Sequence, residues 1–178
     1  MKRIAILSIF LAFILSCTSV KVQDNTVSVI PQPMFMRIDD GAFEINKNTK
    51  LVVDYTSEEM LRIAGFLNEK LSTAAGFELE IISDKYIPKE NVISFLDAGL
   101  PSECYEINVT PTRVTVDYGD GAGAFYALQT LFQLLPTEIY SQELQKRITW
   151  TVPCCNIDDK PLIEIMNKHG LKGTFNIN

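Results

Sequence analysis

The chain has 178 residues, of which 47% are hydrophobic and 21% are charged, and its formal net charge is −6. This length fits one domain, and the composition allows a hydrophobic core and excludes wholesale disorder. The acidic balance argues against a nucleic-acid partner, which would need a basic surface.

The N-terminus is typical of a bacterial lipoprotein signal peptide. Lys2 and Arg3 precede an apolar run, residues 4–15, that is shorter than the roughly 20 residues of a membrane-spanning helix. The run ends at Ile14-Leu15-Ser16-Cys17, which resembles a lipobox. The alternative is an ordinary buried cysteine after an N-terminal strand.

The lipoprotein interpretation predicts a signal peptide at residues 1–16, lipid attachment at Cys17 and a tether at residues 17–29. Cleavage would leave 14 basic residues (16 − 2) against 22 acidic ones, a formal charge of −8. This charge gives no support for electrostatic docking to anionic lipid, so membrane attachment would depend on the acyl chains. The expected location is the bacterial cell envelope, in the periplasm or on the outer membrane.

The other cysteines do not form a metal-binding pattern. Besides Cys17, the chain contains Cys104, Cys154 and Cys155, and no Cys-x-x-Cys spacing is present. Zinc binding is therefore not expected. We predict buried thiols, no metal site and no cofactor.

The first half of the chain reads as short strands followed by a helix. Residues 34–38 and 42–45 are predicted to form a hairpin around Asp39-Asp40-Gly41, and residues 51–55 a third strand. A helix should begin at Thr56-Ser57-Glu58-Glu59, where hydroxyl groups can cap free N–H groups, and end near Gly76. Its apolar stripe consists of Met60, Leu61, Ala64, Leu67 and Leu71.

The second half alternates strands with a glycine-led helix. Strands are predicted at residues 77–82 and 91–95, followed by a hairpin of residues 105–109 and 113–118. The helix covers residues 121–136, and a last strand covers residues 148–157.

The segment Gly119-Asp120-Gly121-Ala122-Gly123-Ala124 fits the G-x-G-x-x-A pattern of a dinucleotide site. Three features oppose that interpretation. Asp120 would repel a pyrophosphate, the preceding strand carries the polar Thr115 and Asp117, and residues 137–147 contain no second parallel strand. The alternative needs no ligand, because glycines let a helix start lie close against a sheet.

The helix itself is predicted to be mostly buried. One narrow polar stripe is formed by Gln129, Thr130 and Gln133. A broad apolar surface is formed by Ala124, Phe125, Leu128, Leu131, Phe132 and Leu135. Burial of the large side chains would contribute on the order of 10 kcal/mol.

Residues 123–134 resemble the G-x-F-Y-x-x-Q-T-L-x-Q-L signature of family 20 glycoside hydrolases, the β-N-acetylhexosaminidases, in their N-terminal non-catalytic domain. Ile30-Pro31-Gln32-Pro33, residues 105–109 and residues 152–161 match in the same order. The resemblance implies an α+β fold, in which two helices pack on one face of a mostly antiparallel sheet, over residues 30–157.

The resemblance also implies a chemistry. Such enzymes release terminal N-acetylhexosamine from glycans, the substrate acetamido group acts as nucleophile, and an Asp-Glu pair in a (β/α)8 barrel assists. A barrel takes roughly 250 residues, and the chain continues only to Asn178. We therefore expect an accessory domain without its catalytic barrel, and no catalytic residue is assigned. Glycan partners would be bound through the full-length enzyme.

The tail, residues 158–178, resembles a polysaccharide deacetylase segment, in which Asp158-Asp159 would precede a helix and a strand. His169 is the only histidine and is expected at an exposed helix end, not as a metal ligand. The weakest alternative function is accordingly a metal-dependent deacetylase fragment. Another alternative is a non-catalytic glycan-binding or interaction lipoprotein, in which Tyr55, Tyr86 or Tyr140 stacks on sugars.

Overall fold

A computed structural model describes residues 27–161, which form a seven-stranded sheet in the order β1-β7-β5-β6-β4-β2-β3. Two helices, α1 (Glu58–Ala74) and α2 (Gly121–Leu134), pack on one face of this sheet. The strands are β1 (Phe35–Glu44), β2 (Lys50–Val53), β3 (Glu80–Ser83), β4 (Val92–Asp97), β5 (Tyr105–Thr110), β6 (Arg113–Tyr118) and β7 (Thr151–Asp159). The α+β class is confirmed.

The sheet has an antiparallel part and a parallel part. β1, β7, β5 and β6 pair antiparallel, whereas β6, β4, β2 and β3 pair parallel. The antiparallel ladders contain more of the paired residues, in agreement with the prediction of a mostly antiparallel sheet. The parallel part arises because α1 connects β2 to β3 as a crossover, as parallel neighbours require.

The hairpin predicted at residues 34–45 is wrong. β1 is one strand that pairs with β7 along its length, and the register shifts between Ile38 and Ala42. Asp39, Asp40 and Gly41 form a bulge opposite Cys154 instead of a turn, and Gly41 has φ of +99°. A local Asp-Gly signal was thus overridden by a long partner strand that continues on both sides of it.

The predicted start of α1 is confirmed. The Ser57 hydroxyl accepts a hydrogen bond from the Met60 N–H at 3.2 Å, and Glu58 and Glu59 occupy the first turn. Gly76 follows the helix with φ of +77°, and its N–H donates to the Leu71 carbonyl. These contacts satisfy backbone groups that a helix end leaves open.

Strand β3 begins later than predicted because α1 holds the preceding residues. The Asn68 side chain of α1 donates to the Leu79 carbonyl at 2.9 Å and accepts from the Leu79 N–H at 2.8 Å. Leu79 therefore bonds to a buried amide and not to a neighbouring strand. The β5–β6 hairpin has the predicted alternation, with Ile107 buried and Asn108 exposed.

The packed region extends slightly beyond the predicted domain bounds. Val29 is buried in the core although it falls in the predicted tether, and β7 continues through Asp159 into the predicted tail. The predicted signal peptide, Cys17, most of the predicted tether and the tail from Leu162 onward lie outside the described residues. Among residues 27–161, no helix has the length and apolar character that membrane crossing requires.

Candidate functional site: a groove at the chain exit

The glycine turn at the start of α2, residues 119–123, packs directly against another segment of the protein's own backbone. A Cβ atom on Gly123 would lie 2.4 Å from the Cys104 carbonyl oxygen, and one on Gly119 would lie 2.0 Å from the Pro101 carbonyl oxygen. Both glycines are therefore needed for close approach of two backbone segments. This supports the interpretation that needs no ligand.

The N-terminus of α2 already carries an anion, the Asp120 carboxylate. It accepts hydrogen bonds from the Gly123 N–H at 2.9 Å, the Glu103 N–H at 3.0 Å and the Ser102 hydroxyl. The Ser102 hydroxyl, followed by the Gly123 N–H, lowers the pKa of Asp120 below its ordinary value. A nucleotide phosphate would have to displace this charge, so α2 does not offer a dinucleotide site.

Helix α2 has a buried side and an exposed aromatic side. Leu128 and Leu131 are fully buried, as predicted. Phe125, in contrast, was predicted to be buried and is 37% exposed, and Thr130 was assigned to the polar stripe and is buried. The prediction was wrong at both positions because only the inward residues contact the sheet, while Phe125 points away from it.

A groove of about 430 Å³ follows this exposed side of α2. It lies between α2, the N-terminal segment of the domain and the segment that leaves β7. Its lining includes Phe125, Tyr126, Gln129, Ile30 and Pro161. The segments by which the chain reaches and leaves the domain are therefore neighbours in one surface depression.

Hydrogen bonds fix both walls of the groove. The Gln133 side chain accepts from the Ile30 N–H at 2.8 Å and donates to the Ile30 carbonyl at 3.0 Å. This pair of bonds ties the N-terminal segment to α2 across a long sequence separation. Gln133 was predicted only as part of a polar stripe, and its partner was not apparent from the sequence.

A second network ties the exit of β7 to the same helix. The Tyr105 hydroxyl lies 2.7 Å from the Thr130 hydroxyl and donates to Asp159 Oδ2 at 3.2 Å. Asp159 Oδ1 accepts from the Met34 N–H at 3.1 Å and from the Lys160 N–H. Burial, with the nearby Asp159 charge as a smaller cause, raises the pKa of Tyr105 to about 12.

This network gives Asp159 a structural function in the described chain. Both of its carboxylate oxygens are used to hold neighbouring segments, and Asp158 forms an ion pair with Lys160 at 3.4 Å. Asp158 Oδ1, in contrast, is buried and has no hydrogen-bond partner among the described residues. The deacetylase interpretation stays a prediction, and His169 lies outside the described residues.

The groove continues into an exposed aromatic cluster, defined here as Phe66, Phe125 and Tyr126. The Phe66 and Phe125 rings meet edge to face at 6.1 Å, and the Phe125 and Tyr126 rings at 6.4 Å. Tyr126 is 45% exposed and Phe66 is 41% exposed. Contiguous exposed rings of this kind make the cluster a candidate contact surface for another apolar group.

The tyrosines proposed for sugar stacking lie outside the groove. Tyr55 follows β2 and Tyr86 follows β3, and both are exposed. Tyr140 packs edge to face on Phe132 at 6.4 Å, and the Lys70 ammonium lies 5.8 Å from its ring centre. Tyr140 thus already has aromatic and cationic partners.

An acidic depression lies at the carboxyl ends of the parallel strands. Its carboxylates are Asp54, Glu59, Asp84, Asp97 and Asp120. Tyr118 lies beneath them, and burial, followed by the charge of Asp97, raises its pKa to about 12. Among residues 27–161, no group of three or more His, Cys, Asp or Glu side chains could hold a metal ion.

The cysteine prediction is confirmed as far as burial is concerned, because Cys104, Cys154 and Cys155 are all buried. Burial raises the pKa of the Cys155 thiol to about 12. Such a thiol is protonated and unreactive at neutral pH.

Fold and groove together define a two-layer α+β domain. Its exposed aromatic surface lies beside Pro161, where the chain leaves the domain. Comparison with known proteins agrees with the sequence resemblance. Residues 26–160 match the family described as Glycosyl hydrolase family 20, domain 2. This match covers most of the chain, and the protein therefore belongs to that family.

The relatives are β-hexosaminidases that are much longer than this chain. A β-hexosaminidase of Porphyromonas gingivalis is 34% identical over 142 residues, which are 78% of this chain and 18% of that protein. The N-acetyl-β-hexosaminidase of Streptomyces plicatus, in complex with thio-NAglucal, superposes with a TM-score of 0.67 at 30% identity. This match covers 75% of this chain and 26% of that one.

A third comparison gives the same fold. The family 20 β-N-acetylhexosaminidase of Streptomyces coelicolor has a TM-score of 0.66 and 27% identity, and the match covers 75% of this chain and 26% of that one. This chain thus spans about a quarter or less of the lengths of these relatives. The comparison covers the non-catalytic domain alone.

Proposed function

We propose that the chain is the accessory domain of a secreted β-N-acetylhexosaminidase and that it holds the catalytic polypeptide without itself performing catalysis. Family membership supports the enzyme class, since the matched relatives are β-hexosaminidases. The groove supports the holding role, because exposed Phe125 and Tyr126 lie beside Pro161, where the chain leaves the domain. An apolar surface at that place is suited to pack against the polypeptide that follows.

The complete enzyme would release terminal N-acetylhexosamine from glycans. In substrate-assisted hydrolysis the acetamido oxygen of the sugar attacks the anomeric carbon, so the protein supplies an acid/base and a group that orients the acetamido. We place both groups in the catalytic barrel and assign no catalytic residue to residues 27–161. The contribution of this domain is then mechanical, through the packing and hydrogen bonds that fix the groove.

We further propose that the protein is held at the bacterial cell envelope by lipid on Cys17. The short apolar run after Lys2 and Arg3 and the lipobox-like sequence support this proposal. Expression in a bacterial host, followed by mass spectrometry of the membrane fraction, should show an acylated N-terminus at Cys17. A Cys17→Ala variant should remain unlipidated, and an unmodified Cys17 in the natural sequence would contradict the anchor.

A chimeric enzyme tests the accessory role. Residues 26–160 replace the matching domain of the Porphyromonas gingivalis β-hexosaminidase, and hydrolysis of an aryl N-acetylglucosaminide is measured after heating. We expect an active chimera that loses thermal stability when Phe125→Asp and Tyr126→Asp are introduced together. Tyr86→Asp is the matched control, because Tyr86 is 76% exposed and lies outside the groove.

Two results would contradict the proposal. The first is substantial hydrolysis by the 178-residue chain alone, which would place an active site within it. The second is a chimera whose stability responds equally to the groove pair and to Tyr86→Asp, since the groove would then make no special contact.

A second candidate, glycan binding without catalysis, is favoured only by the exposure of Tyr55 and Tyr86 at the ends of adjacent strands. Exposed tyrosine rings can stack on sugar faces. Calorimetric titration with chitin oligosaccharides and other N-acetylhexosamine glycans separates this function from the accessory role. Heat of binding that disappears in Tyr55→Ala would support it, and the absence of heat would remove it.

A further inference from the structure

The groove at the chain exit has an apolar surface that the described residues leave uncovered. Ile30 is 77% exposed at one wall, and Phe125 and Tyr126 are exposed at the other. Both walls are fixed by hydrogen bonds, from Gln133 to Ile30 and from Tyr105 to Asp159. A depression with fixed walls does not close by local collapse, so its apolar side chains stay in water unless another group covers them.

The sequence that continues from the groove is itself apolar. Pro161 lines the groove, and it is followed by Leu162-Ile163-Glu164-Ile165-Met166. At helical spacing the four apolar residues fall on one side and Glu164 falls on the other. The next residues, Asn167-Lys168-His169, are polar, so the apolar stretch begins directly after the groove residue Pro161 and ends at Met166.

We propose that Leu162, Ile163, Ile165 and Met166 bind in this groove, against Phe125 and Tyr126. The occupant is thus the protein's own segment 162–166, which covers the exposed rings of α2. Connection through Pro161 makes this contact intramolecular, and an intramolecular segment has a high effective concentration at its site. If residues 162–166 bind as a helix, they span about 7 Å, which is the length of about one and a half turns of α2.

This proposal does not depend on hydrolase activity. It concerns the chain with its natural continuation, whereas the chimera described above carries the continuation of another protein. Both proposals rest on the premise that the groove is a packing surface, and the two experiments distinguish their failures because the chimera does not contain residues 162–166.

Photo-crosslinking of the full chain tests the contact directly. Tyr126 is replaced by benzoylphenylalanine, the protein is irradiated, and crosslinked peptides are located by mass spectrometry. We expect the main crosslink to fall within residues 162–166 of the same chain. Tyr86 carries the same label as a matched control, and no crosslink to residues 162–166 is expected from it because it lies outside the groove.

A second pair of variants guards against chance proximity. Ile163→Asp together with Met166→Asp should abolish the crosslink from position 126, whereas Phe175→Asp in the same tail should leave it unchanged. Circular dichroism verifies that each variant is folded. A crosslink from position 126 to another molecule, to other residues of the same chain, or to residues 162–166 despite both aspartates would overturn the proposal.

Discussion

Replacement of Gly123 by alanine tests the close packing at the start of α2. The added Cβ would lie 2.4 Å from the Cys104 carbonyl oxygen, well inside the separation of roughly 3.5 Å at which non-bonded heavy atoms attract best. Helix or loop would have to move by about 1 Å to relieve this contact. Overpacking of this kind costs about 1–3 kcal/mol in the free energy of unfolding.

The carbonyl in question cannot move freely. It accepts a hydrogen bond from the Gly119 N–H at 3.1 Å, and Gly119 is itself confined by the Pro101 carbonyl. A shift of Cys104 therefore strains the second close contact in the same turn. For this reason we expect Gly123→Ala to cost about 2–3 kcal/mol in the free energy of unfolding, the upper half of that range.

Gly65→Ala is the matched control. Gly65 lies inside α1, and apart from the adjacent residues and backbone of its own helix, a Cβ atom there would meet no atom within 4 Å. The same chemical change should raise the free energy of unfolding by about 1 kcal/mol, because alanine is the better helix former. One substitution type thus gives opposite signs at two helix positions.

Urea unfolding provides the measurement, followed by the fluorescence of Trp150, the single and buried tryptophan. The midpoint should fall for Gly123→Ala and rise for Gly65→Ala, with similar slopes. If both variants raise the midpoint equally, the backbone approach at Gly123 is not tight, and the explanation of the glycine turn fails.

Three further predictions concern the cap, a tyrosine and the two sides of α2. Asp120→Ala should lower the free energy of unfolding by about 1–2 kcal/mol at pH 7. The stability difference between wild type and Asp120→Ala should shrink as pH falls below 3.8, the ordinary pKa of an aspartate, because the Asp120 carboxylate stabilises the fold only while it is charged. An equal loss of stability at pH 7 and pH 2 would contradict this. The wild type should lose stability from pH 10 to pH 12, because Tyr118 ionises in this range only in the unfolded chain. Tyr118→Phe should avoid up to about 3 kcal/mol of that loss, less the part that solvent screens. Urea midpoints that fall in parallel for the wild type and Tyr118→Phe across this range would refute the raised pKa. Leu128→Ala should cost about 2–5 kcal/mol in calorimetric unfolding and Phe125→Ala clearly less, since Leu128 is fully buried, and equal costs would place Phe125 in the core.

Elements with local signals were predictable from the sequence. The Ser57 cap, the apolar stripe of α1 and the alternation of the β5–β6 hairpin are determined by residues close together in the chain. The bulge at Asp39-Asp40-Gly41 was not predictable in the same way. The same residues suit a turn or a bulge, and only the distant strand β7 decides between them.

The parallel half of the sheet was missed for a related reason. Short apolar strands such as β2 and β4 carry no local mark of the direction of their neighbours. Their pairing follows from the crossover through α1 and from the burial of both strands. Likewise, the sequence showed that Gln133 is polar but could not show that it bonds both backbone groups of Ile30.

The residues that carry the family resemblance divide into two sets once α2 is placed on the sheet. Gly123 and Leu131 face inward, and they allow the close approach and fill the core. Phe125, Tyr126 and Gln129 face outward and line the groove. If the signature described packing alone, its outward positions would be occupied by small or charged side chains, because exposed rings gain little from the core of this domain. A contact outside the two-layer fold would explain the outward set, and in our proposal the polypeptide that follows Pro161 provides that contact.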